Sequence, residues 1–385
     1  MAITSSVSQH ARQHRIAVSV FFFVAGCTFA SWASRIPHIQ AQLHLNEAQL
    51  GAVLFALPIG LLVSSFVIGN LVARFGSKTM LHIAATSYSL VLLCLGLANA
   101  TWQLVLCLFF FGIAGNMFNV SVNTQAIGVE KLYGRSIMAS FHGTWSLAGF
   151  SGAAIGTIMI WLQLLPWQHF LFISAAGLVA SSVFVSKTLM QAVSGQTKKG
   201  FAWPDKKLLQ LGLIAFGNLV CEGTMFDWSG VYFKKVVMAP ASLTTLGYAA
   251  FMACMATGRF LADRIVMRIG SRRMLQYAGI LIALGFLLST VFPSVVMATM
   301  GFMLVGFGVS SVVPIVYSQA GQTKKMHPGQ ALASVTTIGF AGFLAGPPII
   351  GFVAQATSLR WSFVLVAVIG LSTSILAATL PRKAE

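Results

Sequence analysis

Two carboxyl groups stand inside a long apolar stretch, LLQLGLIAFGNLVCEGTMFDWSGVYFKKVV, which runs from Leu208 to Val237. About 20 apolar residues suffice to cross a bilayer, so the stretch predicts a membrane span. At about 1.5 Å per residue, Glu222 lies about 21 Å and Asp227 about 28 Å from Leu208 along the helix. A charge at such depth costs at least ~2.5 to 3.5 kcal/mol, and it persists mainly where it faces a cavity, a partner or a proton path. Glu222 is therefore the first candidate for a functional group.

The chemistry that Glu222 could perform is the binding and release of a proton, since burial favours the neutral form of a carboxyl group and contact with water favours the charged one. The alternative is a structural hydrogen bond to a neighbouring helix. Asp227 points about 140° away from Glu222 around the helix. Because Lys234 and Arg35 stand near the same membrane boundary, an interfacial ion pair and a transport role both remain open for Asp227.

Three amides form a second polar group in another apolar stretch. Asn116, Asn119 and Asn123 recur at i, i+3 and i+7, which places them on one stripe of a helix. Such a stripe suits a solute rich in hydroxyl or amide groups, and it predicts a substrate-binding surface. Hydrogen bonds to a neighbouring helix, worth about 0.6 kcal/mol each on average, are the alternative.

Further candidates for substrate contact are aromatic or polar side chains within apolar stretches. Tryptophans at two of these positions could stack on a ring or belong to the aromatic belt at the membrane surface. A single intramembrane histidine is as often a satisfied polar contact as a ligand. The remaining predicted substrate contacts are Trp32, Trp228, His142, Trp145, Tyr317, Gln319 and Phe340.

The composition of the 385 residues is 57% hydrophobic and only 8% charged, which is typical of a membrane protein with many spans. The net charge of +17 does not indicate nucleic acid, because the basic residues fall between apolar runs and form no patch with interleaved aromatics. Neither a metal-ligand set nor the spacing of a nucleophile and its base appears. The sequence therefore predicts no enzyme, no catalytic residue, no metal and no cofactor.

The apolar runs predict twelve membrane spans, numbered here in chain order. With both termini in the cytoplasm, every Lys and Arg of the 24 falls in a cytoplasmic segment except Arg35, Lys234, Lys235, Arg259 and Arg360. The positive-inside rule therefore predicts this orientation. The spans are 16–34, 48–73, 79–98, 102–127, 137–164, 168–187, 208–232, 243–267, 274–292, 295–320, 332–356 and 361–380.

The two halves of the chain repeat one another at an offset of 196 residues that later becomes 194. Thr28 to Trp32 then faces Thr224 to Trp228, and Gly112 faces Gly306. Persistent order and offset predict a duplicated six-helix unit, which is typical of secondary transporters. The predicted domains are an N-terminal six-helix bundle at 1–190, a cytoplasmic linker at 191–207 and a C-terminal six-helix bundle at 208–385.

The loops after spans 2 and 8 carry matching sequences, GNLVARFGSK from Gly69 and DRIVMRIGSR from Asp263. The first resembles the loop signature G-x-L-x-D-R-x-G-x-K/R of the major facilitator superfamily, although Ala73 replaces its aspartate and Met267 stands at the equivalent position. Along its whole length the chain resembles that superfamily, and a bacterial subgroup of fucose-permease-like and rhizopine-transport-like proteins within it. By this resemblance the gating-loop residues are Gly69, Arg74, Gly76, Lys78, Asp263, Arg264, Arg268 and Gly270.

The resemblance implies an all-α membrane protein with twelve transmembrane helices in two six-helix bundles, acting as a carrier by alternating access. We predict proton-coupled symport of a small polar organic solute, sugar-like or related, across the bacterial inner membrane by a monomer without nucleic-acid partners. Glu222 and Asp227 are the predicted proton-coupling residues. For Arg259 in span 8, a role in the gate and an ion pair with Asp263 both remain open. A multidrug or metabolite efflux antiporter and a receptor that transports nothing are the alternatives.

Overall fold

The computed structural model describes residues 9–134, 137–190, 205–323 and 328–380. Over these residues the chain is helical apart from short connections. Single 3-10 turns follow α8 and precede α10. The helices are α1 (Gln9–Gln42), α2 (Glu47–Leu54), α3 (Ala56–Ser65), α4 (Ile68–Phe75), α5 (Ser77–Leu97), α6 (Thr101–Tyr133), α7 (Met138–Trp161), α8 (Pro166–Phe184), α9 (Lys206–Lys235), α10 (Leu246–Ile269), α11 (Ser271–Val291), α12 (Val295–Gly321), α13 (Pro328–Ala356) and α14 (Leu359–Ala378).

Within the described ranges, 11 helical stretches are long and apolar enough to cross a membrane, with α2 and α3 counted together as one stretch. The eighth predicted span corresponds to α10, which is not among them and which carries Arg259, Asp263, Arg264 and Arg268. Only helices and closed barrels satisfy every backbone group inside a bilayer, which explains the near absence of other structure. The predicted all-α membrane fold is confirmed.

The second predicted span is divided into α2, α3 and α4. Pro58 stands in the first turn of α3, and a proline has no N–H with which to continue the ladder from the preceding turn. The chain accordingly breaks at Phe55 and again before Ile68. The N-terminus of α2 is fixed by a capping box, in which the side chain of Asn46 accepts from the Gln49 N–H at 2.8 Å.

The chain forms two compact units that do not coincide with the sequence halves. The first unit comprises the described residues within Met1–Trp32, Ala56–Gly152 and Leu164–Gly195. The second comprises those within Ala33–Phe55, Ala153–Gln163 and Gln196–Glu385. Two segments from the first half, one around α2 and one at the end of α7, therefore pack in the unit that contains α9 to α14. Most of the linker lies outside the described residues, so the division into 1–190, 191–207 and 208–385 stays a prediction.

The sequence repeat is visible as a repeated helix contact within each unit. A β-carbon at Gly112 of α6 would overlap the carbonyl oxygen of Leu57 in α3, and one at Gly306 of α12 would overlap that of Phe251 in α10. These two pairs are related by the offset of 194 residues. Glycine allows backbones to approach this closely in membrane helices. The same helix crossing is thus built into both halves.

The core of the second unit is formed by small and branched apolar side chains from five helices. Leu208 and Leu211 of α9 pack with Ala278 of α11 and Val312 of α12, and residues of α13 and α14 complete the cluster. α9 is enclosed on two further sides. Gly223 faces the ring of Phe343 in α13, and the Cys221 thiol donates to the Val366 carbonyl of α14 at 3.7 Å. This packing leaves the Glu222 side of α9 to face α10 and α12.

Candidate functional site

Glu222 forms an ion pair with Arg259, which joins α9 to α10. Oε1 of Glu222 and Nη2 of Arg259 are 3.3 Å apart. The side chain of Glu222 is only 7% exposed, whereas that of Arg259 is 22% exposed. For Arg259 the sequence predicts either a role in the gate or an ion pair with Asp263. The structure supplies Glu222 as a partner, and the side chain of Asp263 lies outside the described residues.

Tyr317 of α12 also belongs to this group. Its hydroxyl lies close to the side chain of Thr336 in α13 and within electrostatic range of Glu222. Four helices thus contribute a carboxylate, a guanidinium and two hydroxyls to one region of the second unit. We call Glu222, Arg259, Tyr317 and Thr336 the charged cluster. A proton added to Glu222 would remove the charge that holds Arg259.

Asp227 has a different environment from Glu222, although both lie on α9. Its side chain is half-buried, and among the described residues no hydrogen bond or ion pair engages its carboxylate. The predicted partner Lys234 instead donates to the carbonyl oxygen of Pro37 at 3.0 Å. The neighbouring Lys235 forms an ion pair with Glu47 at 2.6 Å. The basic residues at this end of α9 therefore bind elsewhere.

The amide stripe of α6 divides into two parts in the first unit. Nδ2 of Asn116 donates to the hydroxyls of Ser64 and Ser65 at 2.7 and 3.1 Å, so this amide ties α6 to α3. Nδ2 of Asn123 donates to the side-chain oxygen of Asn119 at 2.8 Å. Asn119 is exposed and Asn123 is half-buried. Asn116 thus takes the interhelical role, while the other two amides form a separate polar pair.

The other predicted substrate contacts are distributed over both units. Trp32 and Trp228 are 1% and 0% exposed, so neither ring belongs to the surface belt. In the first unit, His142 is exposed with its ring 5.4 Å from that of Phe22, and Trp145 is half-buried. In the second unit, Gln319 is half-buried. Phe340 is 39% exposed, with its ring 6.3 Å from that of Phe343.

The two predicted gating loops have matching backbone geometry. Gly76 has φ 79° and ψ 148°, and Gly270 has φ 80° and ψ 155°. This region of backbone conformation is essentially restricted to glycine. The other gating-loop residues whose side chains the structure describes are exposed or half-buried. Arg74 lies over the Phe75 ring at 5.3 Å, Lys78 contacts Met190 Sδ at 3.9 Å, and Gly69, Arg264 and Arg268 are exposed.

The sequence analysis missed three buried or capping side chains. Gln125 is completely buried, and its amide binds the Ser77 hydroxyl at 2.9 Å and the backbone of Leu189. Glu130 caps α7 by accepting from the Ile137 and Met138 N–H groups at 2.8 Å. Asn218 is completely buried one turn before Glu222, and neither of its amide atoms has a hydrogen-bond partner among the described residues. The i, i+4 spacing of Asn218 to Glu222 was the available signal.

A shallow, open pocket of about 320 Å³ lies in the first unit between α1 and α7. Its lining is almost entirely apolar, although Arg15, Ser19 and Thr144 stand at its walls. The guanidinium of Arg15 also contacts the Ser140 hydroxyl at 3.4 Å and lies 5.3 Å from the centre of the Tyr133 ring. The residues that line the cavity are Arg15, Ile16, Ser19, Val20, Phe23 and Thr144.

Comparison with known proteins identifies the family of this chain. The model of the Major Facilitator Superfamily matches residues 17–323 and 224–385. An uncharacterized MFS-type transporter of Yersinia pestis is 34% identical over 383 residues, with 99% of this chain and 98% of that protein covered. Membrane protein MosC of Rhizobium meliloti is 28% identical over 361 residues, with 92% and 87% covered.

A similar fold occurs in the crystal structure of a bacterial homologue of the human lysosomal transporter Spinster, in an inward-facing and unoccupied conformation. The TM-score is 0.75 and the identity 14%, with 97% of each chain covered, so the likeness concerns the fold alone. The finer resemblance to fucose-permease-like proteins stays a prediction. The family match over most of the chain and the Yersinia relative agree with the helical fold and the matching loops. The chain belongs to the Major Facilitator Superfamily of membrane transporters.

Proposed function

We propose that the protein is a proton-coupled symporter of a small polar organic solute and that Glu222 carries the coupling proton. The observation that supports this proposal is the ion pair between Glu222 and Arg259, 3.3 Å apart on two helices of one unit. An ion pair inside a membrane protein is expensive to break unless a proton neutralises the acid. Protonation of Glu222 therefore weakens the electrostatic link between α9 and α10.

Asp227 is the second proton-binding group in this proposal. It has no ion partner among the described residues, and its side chain is half-buried. Glu222 is more deeply enclosed. We assign to Asp227 the transfer of protons between water and the interior of α9, and to Glu222 the linkage of proton binding to helix movement.

Solute binding is assigned to the polar and aromatic side chains of both units. Asn119 and Asn123 offer amide groups that are not used for packing α6 on α3. Tyr317 offers a hydroxyl within electrostatic range of Glu222. Trp32, Trp228, His142, Trp145, Gln319 and Phe340 stay proposed contacts, and Asn116 is assigned mainly to helix packing. The gating loops around Gly76 and Gly270 are proposed hinges.

The charge distribution and the family support a proposal for the cellular setting. The relatives in Yersinia and Rhizobium are bacterial proteins. We propose that the chain acts as a monomer in the bacterial inner membrane, with both termini in the cytoplasm, in accordance with the positive-inside rule.

The test begins with the full-length protein in detergent and a library of sugars, polyols and small amides. Each compound that raises the melting temperature is then used for uptake by proteoliposomes with an acidic exterior. We expect Glu222→Gln to abolish accumulation driven by the pH gradient while exchange of internal for external solute continues. Glu47→Gln is the matched control, because Glu47 belongs to the more exposed ion pair with Lys235. We expect this variant to accumulate solute in response to the pH gradient as the wild type does.

Unchanged pH-driven accumulation by the Glu222→Gln protein would show that Glu222 does not carry the coupling proton. A library without any stabilising compound would favour a receptor that transports nothing.

A second candidate function, efflux of amphipathic compounds, is favoured by the aromatic rings beside the charged cluster. The rings of Phe226 and Phe343 are stacked with their centres 6.2 Å apart, and the ring of Phe340 lies 6.3 Å from that of Phe343. Such rings suit a lipophilic cation. Cells without the protein would then become more sensitive to lipophilic cations, whereas a symporter of polar solutes predicts unchanged sensitivity.

A further inference from the structure

A completely buried amide stands one turn before Glu222 on α9. Asn218 is 0% exposed, and neither its Nδ2 nor its Oδ1 has a hydrogen-bond partner among the described residues. We propose that Asn218 is the partner of Glu222 in its protonated form, so that the carboxyl group exchanges Arg259 for Asn218 when it binds a proton. The proposal rests on the proton coupling proposed above and adds a positioning residue to it.

An amide that is buried without partners is unfavourable in a folded protein. Its donor and its acceptor have lost their hydrogen bonds to water and have gained no others. A leucine of similar size would fill the same space without this penalty. The polar side chain at position 218 therefore points to a second state of the protein in which both of its polar atoms are bonded.

The spacing on α9 places the amide and the carboxyl group within reach of each other. Residues at i and i+4 of a helix are neighbours, with β-carbons about 6 Å apart. Rotation between staggered conformers moves the carboxyl group of Glu222 while the backbone stays in place. The change of partner therefore requires a side-chain movement and no initial movement of α9.

The protonated carboxyl group matches an amide better than a carboxylate does. A carboxylate has acceptors only, so it can bind Nδ2 of Asn218 but leaves Oδ1 unpaired. A protonated carboxyl group has one O–H donor and one carbonyl acceptor, so it can donate to Oδ1 and accept from Nδ2 at the same time. Arg259 has donors only and favours the charged form of Glu222. The two partners therefore select opposite protonation states.

The titratable groups on the helices that pack against α9 do not offer this match. Arg259 of α10 binds Glu222, and Tyr317 of α12 lies within electrostatic range of it. No titratable side chain occurs in the sequence of α13. The only one in α14 is Arg360, which donates to a backbone carbonyl of α11 at 2.6 Å.

Further titratable groups lie along α9 and at the end of α1. Asp227 points about 140° away from Glu222 around the helix. His38 of α1 is within electrostatic range of Arg35 and of Lys234. Lys234 lies about 18 Å beyond Glu222 along α9. The basic residues at this end of α9 are therefore too far from the carboxyl group to form an ion pair with it.

The sequence repeat supports a joint role of the two positions. By the offset of 196 residues, Asn218 and Glu222 correspond to Phe22 and Gly26 of α1. Phe22 is 2% exposed and stacks on Phe141 with ring centres 5.5 Å apart. Both positions are apolar in the first half and polar in the second. The amide thus accompanies the acid and is absent where the acid is absent.

The experiment measures protonation of Glu222 in the full-length protein in detergent, by infrared difference spectroscopy over a pH titration. The band of its protonated carboxyl group is assigned by its loss in Glu222→Gln. In Asn218→Leu, we expect this band to move to the higher frequency of a carboxyl group without hydrogen bonds. The midpoint of its titration should fall by about one pH unit, because a lost hydrogen bond corresponds to about tenfold in proton affinity. The variant should fold, since an apolar group of similar size replaces an unpartnered amide.

Asn116→Leu is the matched control, because it removes a buried amide that ties α6 to α3 in the first unit. We expect the Glu222 band and its midpoint to stay as in the wild type. An unchanged band and midpoint in Asn218→Leu, or an equal change in Asn116→Leu, would overturn the proposal.

The same variants distinguish this proposal from the proton coupling on which it rests. If Asn218→Leu changes neither band nor midpoint while Glu222→Gln abolishes pH-driven accumulation, the role of Asn218 is contradicted and the coupling stands. If Asn218→Leu shifts both while Glu222→Gln still accumulates solute, the coupling is contradicted and the pairing stands. A wild type without any titrating band that Glu222→Gln removes would contradict both.

Discussion

The repeated halves differ at the positions that correspond to Glu222 and Arg259 of the charged cluster. By the offset of 196 residues, Glu222 of α9 corresponds to Gly26 of α1, and by the offset of 194, Arg259 of α10 corresponds to Ser65 of α3. A β-carbon at Gly26 would lie 2.5 Å from the Trp145 carbonyl oxygen, so α1 packs directly against α7 there. At this position the first half therefore has a glycine that allows two helices to pack closely, whereas the second half has the acid Glu222.

The partners of the matched positions differ in the same way. Ser65 accepts a hydrogen bond from Asn116 at 3.1 Å, whereas the residue corresponding to Asn116 is Ser310, whose hydroxyl binds the carbonyl of Phe307 on its own helix at 2.7 Å. A neutral hydrogen bond in one half therefore stands where a charged residue stands in the other. Shared helix crossings preserve the scaffold, while the buried ion pair of Glu222 with Arg259 belongs to the second half.

The largest effect is expected from removal of one charge of the cluster. Arg259→Gln leaves Glu222 buried without its cation, and we expect a loss of about 3 kcal/mol of stability, the lower end of the range for a broken buried ion pair because Arg259 is partly exposed. The double variant with Glu222→Gln should regain most of it. Thermal unfolding in detergent measures both. A double variant as unstable as Arg259→Gln alone would show that the pair is not the origin of the loss.

An intermediate and equal effect is expected at the two loop glycines, where the halves agree. Gly76→Ala and Gly270→Ala each force a β-carbon into a conformation that costs about 2 kcal/mol. Gly69→Ala is the control, because that glycine lies within α4 with open space around it, and alanine there should be neutral or slightly stabilising. Melting temperatures of the three variants test this. Clearly unequal losses at Gly76 and Gly270 would contradict the structural equivalence of the loops.

The smallest effect is expected in the neutral polar contacts of the first half. Asn116→Ala removes the hydrogen bonds to Ser64 and Ser65 and should cost about 1 kcal/mol, in the range measured for polar contacts between membrane helices. Asn123→Ala removes a bond within α6 and should cost less. The same unfolding measurement compares them. If Asn116→Ala cost as much as Arg259→Gln, the contrast between a neutral and a charged half would fail.

Much of the fold was predictable because bilayer dimensions impose strong constraints on a sequence. Apolar length predicted the helical spans, and the matched loops around Gly76 and Gly270 predicted the family and the repeat. The division of the second span was not predicted, although Pro58 was its signal. Asn116, Asn119 and Asn123 were correctly placed on one helix, but their spacing alone did not show that Asn116 would bind α3.

The sequence by itself determined that the chain is a helical membrane protein with an acid deep in one span, because hydropathy and depth are local properties of a segment. Tertiary structure decided which cation meets Glu222, which amide serves packing, and that Lys234 binds a carbonyl and not Asp227. These outcomes depend on distances between helices that are far apart in the chain. A change of one turn in helix register moves a side chain by about 5.4 Å, more than the length of any of these contacts.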